Sequence, residues 1–227
     1  VRGDGGLSDG RHDGARRRFG SVGRRSRHGV SRGPAPPQPW GHLQFPPGRY
    51  RFPVEEHRVF LFADLADSTS IAERLGDVTY SRFIGDCYRD VAEAILAWRG
   101  QVYQYVGDEV VISWPLEKGL ADAACVQCFF AMTDLLVSTR ARYEEIYGVM
   151  PQFRAGLHGG SVVATWVGLA KTELAFHGDS LNVTSCIQGL CKQHGESCIV
   201  SATLMDRLTL PSDLRARSLG VEELRGK

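Results

Sequence analysis

The sequence predicts an α+β fold, a ferredoxin-like βαββαβ core preceded by a disordered N-terminal segment. Three observations point there. Segments of helical period and segments of strand composition interleave between residues 57 and 200. Two of the strands are joined tightly through Gly107-Asp108, which puts a hairpin in the middle of the order. Hydrophobic residues make up 43% of the 227, enough for one domain's core plus an appendage. Strands and helices interleaved around a central hairpin fit a mostly antiparallel sheet with helices on one face.

Residues 1–53 come first. Gly and Arg dominate the first 33, and seven of the ten prolines fall between Pro34 and Pro53. A stretch without apolar periodicity buries too little surface to offset its ordering entropy, so 1–53 is expected to be disordered and dispensable to a domain spanning 54–227. It is also basic. Ten Arg against three Asp in residues 1–50 give +7, so the remainder sums to −6 within the total of +1. The clusters Arg16-Arg17-Arg18 and Arg24-Arg25-Ser26-Arg27 read as a solvated linker, and no specific nucleic-acid partner is expected.

From His57 the texture changes. Arg58 to Asp64 is an apolar run ending in an acid, a buried strand by composition. Ser68 to Gly76 and Tyr80 to Trp98 read as helices, the second with Phe83, Ile84, Val91, Ile95 and Leu96 on its apolar face. Gln101 to Val106 and Glu109 to Trp114 form the hairpin. Leu120 to Tyr147 reads as one long helix. Phe153 to His158 and Ser161 to Val167 read as strands split by Gly159-Gly160. Leu174 to His177 is a strand, Ser180 to Cys191 a helix, and Ser197 to Val200 a strand.

The six cysteines are expected to be reduced, and Cys125-x-x-Cys128, inside a helix with no second metal-spaced pair, reads as two small buried hydrophobes. No short apolar core lies near the start and no run of about 18 apolar residues occurs, so the expected setting is cytoplasmic. The chain opens on Val1 rather than Met, which leaves room for an upstream sensor or membrane domain.

Asp64 ends a strand and Asp108 sits in a hairpin turn. If the hairpin pairs beside that strand, both acids emerge at one edge of the sheet. Two carboxylates there suit Mg²⁺, which takes few protein ligands and keeps positions for water and phosphate oxygens. An acid after a strand is also a common cap or turn former, which is the reading for Asp67, Glu109 and Asp179.

The surrounding motifs are specific. Phe62-Ala63-Asp64-Leu65-Ala66-Asp67-Ser68-Thr69 resembles the first metal motif of class III adenylate and guanylate cyclases, and Tyr105-Val106-Gly107-Asp108-Glu109 their second. Arg154 to Gly160 is similar to their R-x-G-[IL]-H-x-G strand, and His177 to Ser185 to their G-[DN]-x-[VL]-N-x-[AT]-[SA] segment. Four motifs in the family's order cover residues 57–227. The resemblance implies conversion of ATP, or less readily GTP, to a 3′,5′-cyclic nucleotide in a homodimer, or a heterodimer with another cyclase domain, whose sites lie at the interface. Two Mg²⁺ or Mn²⁺ ions would be held by Asp64, Asp108 and the Leu65 main-chain carbonyl. Backbone N–H groups of Leu65, Ala66, Asp67, Ser68 and Thr69 would cradle the triphosphate. Asn182 would reach the ribose from the partner subunit.

Several positions depart from the family pattern. Where the family places an Arg, four residues after Asn182, this chain has Cys186, which lacks a guanidinium's forked, charged donors. The purine-reading positions hold Gln104 and Ala175 instead of the usual charged or hydroxyl residues, and Lys171 is a candidate substitute. Arg225 stands where the family has a triphosphate-binding Lys, and the chain then stops before the family's last strand. A degenerate nucleotide-binding or dimerisation module is therefore the alternative to an active enzyme. His158, between apolar residues and glycines, reads as a structural histidine.

Overall fold

The computed structural model describes residues 16–24, 49–170 and 172–223. Its strands are β1 (Arg16–Arg24), β2 (Val54–Leu65), β3 (Gln101–Val106), β4 (Glu109–Pro115), β5 (Phe153–Val167), β6 (Glu173–His177), β7 (Cys198–Ser201) and β8 (Leu214–Glu223). The helices are α1 (Ser68–Leu75), α2 (Asp77–Ala97), α3 (Leu116–Leu120), α4 (Ala124–Ser138), α5 (Arg140–Tyr147), α6 (Asp179–His194) and α7 (Ala202–Met205). One sheet runs in the order β3-β4-β2-β5-β7-β1-β8, with β6 paired to the far half of β5.

The four strands β3-β4-β2-β5 are the expected ferredoxin-like core, antiparallel throughout. The period of two in β2 is read out on two faces. Val59, Leu61, Ala63 and Leu65 join the core under α2 and α4, while Phe60 and Phe62 join a second cluster with Tyr50, Val162 and Phe176. Helices were expected on one face. Helix α6 packs on the other, where it meets β5 at Gly156. A Cβ there would stand 2.3 Å from the Gln188 backbone nitrogen, so only glycine lets the helix come this close.

Three further expectations are corrected. Arg16–Arg24 is a strand between β7 and β8, so this part of the upstream segment belongs to the sheet. Its apolar content is small, but Phe19 and Val22 are buried on opposite faces and neighbours on both sides supply its ladder. Two of its four arginines are paired with acids: Arg17 lies 3.4 Å from Asp179, and Arg24 meets Asp134 and Asp213. The rest of 1–53, apart from residues 49–53, lies outside the described residues.

The run expected as one helix over Leu120–Tyr147 is broken twice. Asp122 and Ala123 take positive φ (53° and 51°), and a second break falls at Thr139. Leu116–Ser138 is long and apolar enough to cross a bilayer by composition alone; here Cys125, Val126, Phe129 and Met132 are fully buried in the core. The two strands expected on either side of Gly159-Gly160 are a single strand, β5, in which those glycines pair with Val59 and Arg58.

Candidate active site

Strand β2 delivers Asp64 to the end of the sheet, where it pairs with Glu109 on β4 and Arg154 on β5. The antiparallel register therefore sets the β3–β4 turn beside Asp64. Gly107 makes that turn with φ +63°, a left-handed conformation that side chains resist. Asp64 and Asp108 thus come together, as expected. The Asp64 carboxylate accepts from the Leu65 N–H and, at 3.4 Å, from the Gln188 side chain.

Charge is concentrated here. Burial and then the Asp108 carboxylate push Asp64 up to about 6. Burial, then Asp64 and Asp108, push Glu109 up to about 7. Paired acids in a half-buried site repel, and a divalent cation between them relieves both burial and repulsion. Among the described residues no three His, Cys, Asp or Glu side chains group to hold a metal. The donor set is thus a carboxylate pair, which fits Mg²⁺ or Mn²⁺ completing its shell with water and phosphate oxygens.

A cleft of about 280 Å³ opens beside the pair. One wall is Asp64, Leu65, Asp67, Ser68, Thr69 and Ser70; the other is Arg154, Gln188, Gly189 and Lys192. Asp67 turns the chain into α1 with φ 57°. Ser68, Thr69 and Ser70 form the helix's first turn, whose N–H groups have no intrahelical acceptor and whose dipole favours an anion. Two expected donors are already used: the Leu65 N–H bonds to the Asp64 carboxylate, and the Ala66 N–H bonds to the Gln152 carbonyl at 2.7 Å. Those bonds anchor the loop and remove Leu65 and Ala66 from the phosphate cradle.

Five cleft residues escaped the sequence reading as site residues: Ser70, Arg154, Gln188, Gly189 and Lys192. Arg154 sat inside a quoted motif, and its cross-strand position opposite Asp64 emerges only from the sheet register. It lies 3.8 Å from Asp67. Gln188 and Lys192 are four apart on α6, so they share a face that Gly156 brings down onto the site.

The remaining expected residues do not line this cleft. Asn182 is exposed and Cys186 half-buried on α6, about 120° round the helix from Gln188 and Lys192 at 100° per residue. Cys186 packs against the cluster of Phe19, Val183, Ile187, Cys191 and Ile199. Gln104 is exposed on the edge strand β3, and Ala175 is half-buried on β6 opposite Thr165. His158 is buried with its Nδ1 2.8 Å from the Ser201 hydroxyl, a structural role as expected. Lys171 and Arg225 lie outside the described residues.

A carboxylate pair at the end of the sheet, an anion-ready helix start and two cations on a second wall thus meet around one cleft of a ferredoxin-like core. Residues 54–227 match the adenylate and guanylate cyclase catalytic domain, and the chain belongs to that family. It is 42% identical over 180 residues to adenylate cyclase 2 of Rhizobium meliloti (strain 1021), covering 79% of this chain and 50% of that protein. Against adenylate cyclase 1 of the same organism the identity is 27% over 174 residues, covering 74% of this chain and 25% of that protein. The chain thus spans half or less of these relatives. Among solved structures, a bacterial light-regulated adenylyl cyclase superposes with TM-score 0.64 at 20% identity, covering 70% of this chain and 47% of that one. The guanylyl cyclase Cya2 superposes with TM-score 0.62 at 16% identity, covering 77% and 97%. These two similarities speak for the fold.

Proposed function

We propose that this domain is a nucleotide cyclase: it converts ATP, and less readily GTP, to the 3′,5′-cyclic nucleotide and pyrophosphate, acting as a dimer on the cytoplasmic side. The observation that carries the reading is the meeting of Asp64 and Asp108 beside the start of α1. The adenylate cyclase named as a 42% identical relative favours ATP over GTP.

The ribose 3′-oxygen forms a bond to the α-phosphorus, and the bond to the bridging oxygen breaks. Pyrophosphate leaves with that electron pair, and the hydroxyl proton passes to solvent. Asp64 and Asp108 would hold Mg²⁺ or Mn²⁺, which would supply charge neutralisation on the phosphates and a more acidic 3′-hydroxyl. The chain's own groups bind and orient. The N–H groups of Ser68, Thr69 and Ser70 receive phosphate oxygens, Arg154 and Lys192 offset their charge from the opposite wall, and Gln188 fixes the Asp64 carboxylate. Asn182, on the other face of α6, serves the site of the partner subunit. Incubation with ATP or GTP plus Mn²⁺ and chromatographic identification of products tests the reading. Cyclic AMP is expected; a folded protein that forms no cyclic nucleotide overturns it.

A further inference from the structure

Helix α2 turns a stripe of half-buried side chains, Tyr80, Ile84 and Tyr88, toward the segments that build the cleft. The Tyr88 hydroxyl donates to the Gly107 carbonyl at 2.9 Å. Its ring lies against that of Tyr105, with centroids 4.4 Å apart. Two turns earlier, the Tyr80 hydroxyl is hydrogen-bonded to Ser68 at the start of α1. One helix thus holds both the turn that carries Asp108 and the loop that leads into α1.

The turn needs support. Strand β3 is the edge of the sheet, and Gln104, Tyr105, Val106 and Gly107 are exposed. An edge hairpin tip with few buried contacts belongs to the mobile end of a fold. Yet a metal-ligating acid must be held to within a fraction of an ångström, and the groups that do this are hydrogen-bonded neighbours of the ligand. The peptide before Asp108 is where Tyr88 is bonded.

We propose that Tyr88 is a positioning residue of the metal site. By holding the Gly107 carbonyl it fixes the reach of Asp108 toward Asp64 and so sets the affinity for the divalent cation. It acts through the turn. Tyr105 adds a tilted ring contact, with an interplanar angle of 42°, that keeps the Tyr88 ring in place. This inference rests on the carboxylate pair being the metal site of the proposed cyclase.

The test is Mn²⁺ binding without nucleotide, by calorimetry, on the parent, Tyr88→Phe and Tyr147→Phe, each with its thermal midpoint. Tyr147 is the control: its hydroxyl donates to Asp86 of the same helix, at 2.6 Å, away from the turn. Tyr88→Phe keeps the ring and loses the donor, and its Mn²⁺ dissociation constant should rise about tenfold. In turnover, its half-saturating Mn²⁺ should rise in step, more than the nucleotide KM measured at saturating Mn²⁺. Tyr147→Phe should lower the midpoint and leave Mn²⁺ binding at the parent value. The proposal is overturned if Tyr88→Phe binds Mn²⁺ within twofold of the parent, or if Tyr147→Phe weakens it equally. A parent that makes no cyclic nucleotide while Tyr88→Phe still loses Mn²⁺ affinity sinks the cyclase reading and keeps this one. A parent that binds no Mn²⁺ yet forms cyclic AMP overturns this proposal and keeps the cyclase reading.

Discussion

The two faces of α6 carry different residues, which in the function proposed above serve different half-sites. Gln188 and Lys192 face the chain's own cleft, together with Asp64, Arg154 and the first turn of α1. Asn182 and Cys186 face away, on the side of the helix supported by Phe19 of β1. The first half is closed within one chain: it has acids, cations and free N–H donors converging on one space. The second half has an exposed amide and a thiol with no phosphate-binding partner lining the same cleft. In the proposed reading one helix serves two half-sites, and a symmetric pair of domains would form two complete ones.

The comparison breaks most sharply at the acids. Asp64→Ala or Asp108→Ala should lower turnover by more than about 10²-fold, because the cation that would neutralise the phosphates loses one of its two carboxylate ligands. Circular dichroism should be that of the parent. If both variants cyclise nucleotide normally, the metal assignment is wrong.

The next largest effect is on the other face. Cys186 is half-buried against an apolar cluster, so an Arg there must lay its stem on Phe19 and Ile187 and carry its head outward beside Asn182. Cys186→Arg should then add a charged donor felt mainly in the transition state. We expect kcat to rise by up to roughly 10²-fold, with less change in KM. Steady-state kinetics at saturating Mn²⁺ checks this. A parent that is already fast, with Arg adding nothing, would mean that another cation fills the role.

Phe19→Ala probes what holds that outer face. Phe19 is 2% exposed and packs on Val183, Ile187 and Ile199. Its truncation should cost about 3 kcal/mol, read from chemical denaturation. An unchanged midpoint would mean that β1 contributes nothing to the domain, as the sequence alone suggested. The smallest effect is expected at Lys192→Ala, on the closed half. It should raise the nucleotide KM about tenfold with kcat less altered, since its charge acts on ground and transition states alike.

What was legible in the sequence follows from how each feature is encoded. Strand β2 and the β3–β4 hairpin were readable because a run such as Val59–Ala63 and a Gly-Asp turn carry their signal locally. So was the meeting of Asp64 with Asp108, which follows once that hairpin pairs with β2. Strand β1 was unreadable: with little apolar content its stability comes from two neighbouring ladders and three Asp partners supplied by distant segments. The break in the long helix hides in an Ala with positive φ, which composition does not mark. Gln188 and Lys192 reach the cleft only because Gly156 admits the α6 backbone, a contact between segments about thirty residues apart that no local period reveals.

The division of α6 into two half-sites is the central claim, and complementation measures it directly. Asp64→Ala and Asn182→Ala should each be nearly inactive alone. Mixed in equal amounts, they should regain activity, because one interface of the mixed dimer joins an intact carboxylate pair to an intact Asn182. The statistical ceiling is about a quarter of the parent rate, since half the dimers are mixed and each has one of two sites complete. Recovery toward that ceiling, rising with protein concentration, is the result expected. A mixture as inactive as its components, with dimers present by sedimentation, would contradict the account and place Asn182 in the same chain's site as Asp64.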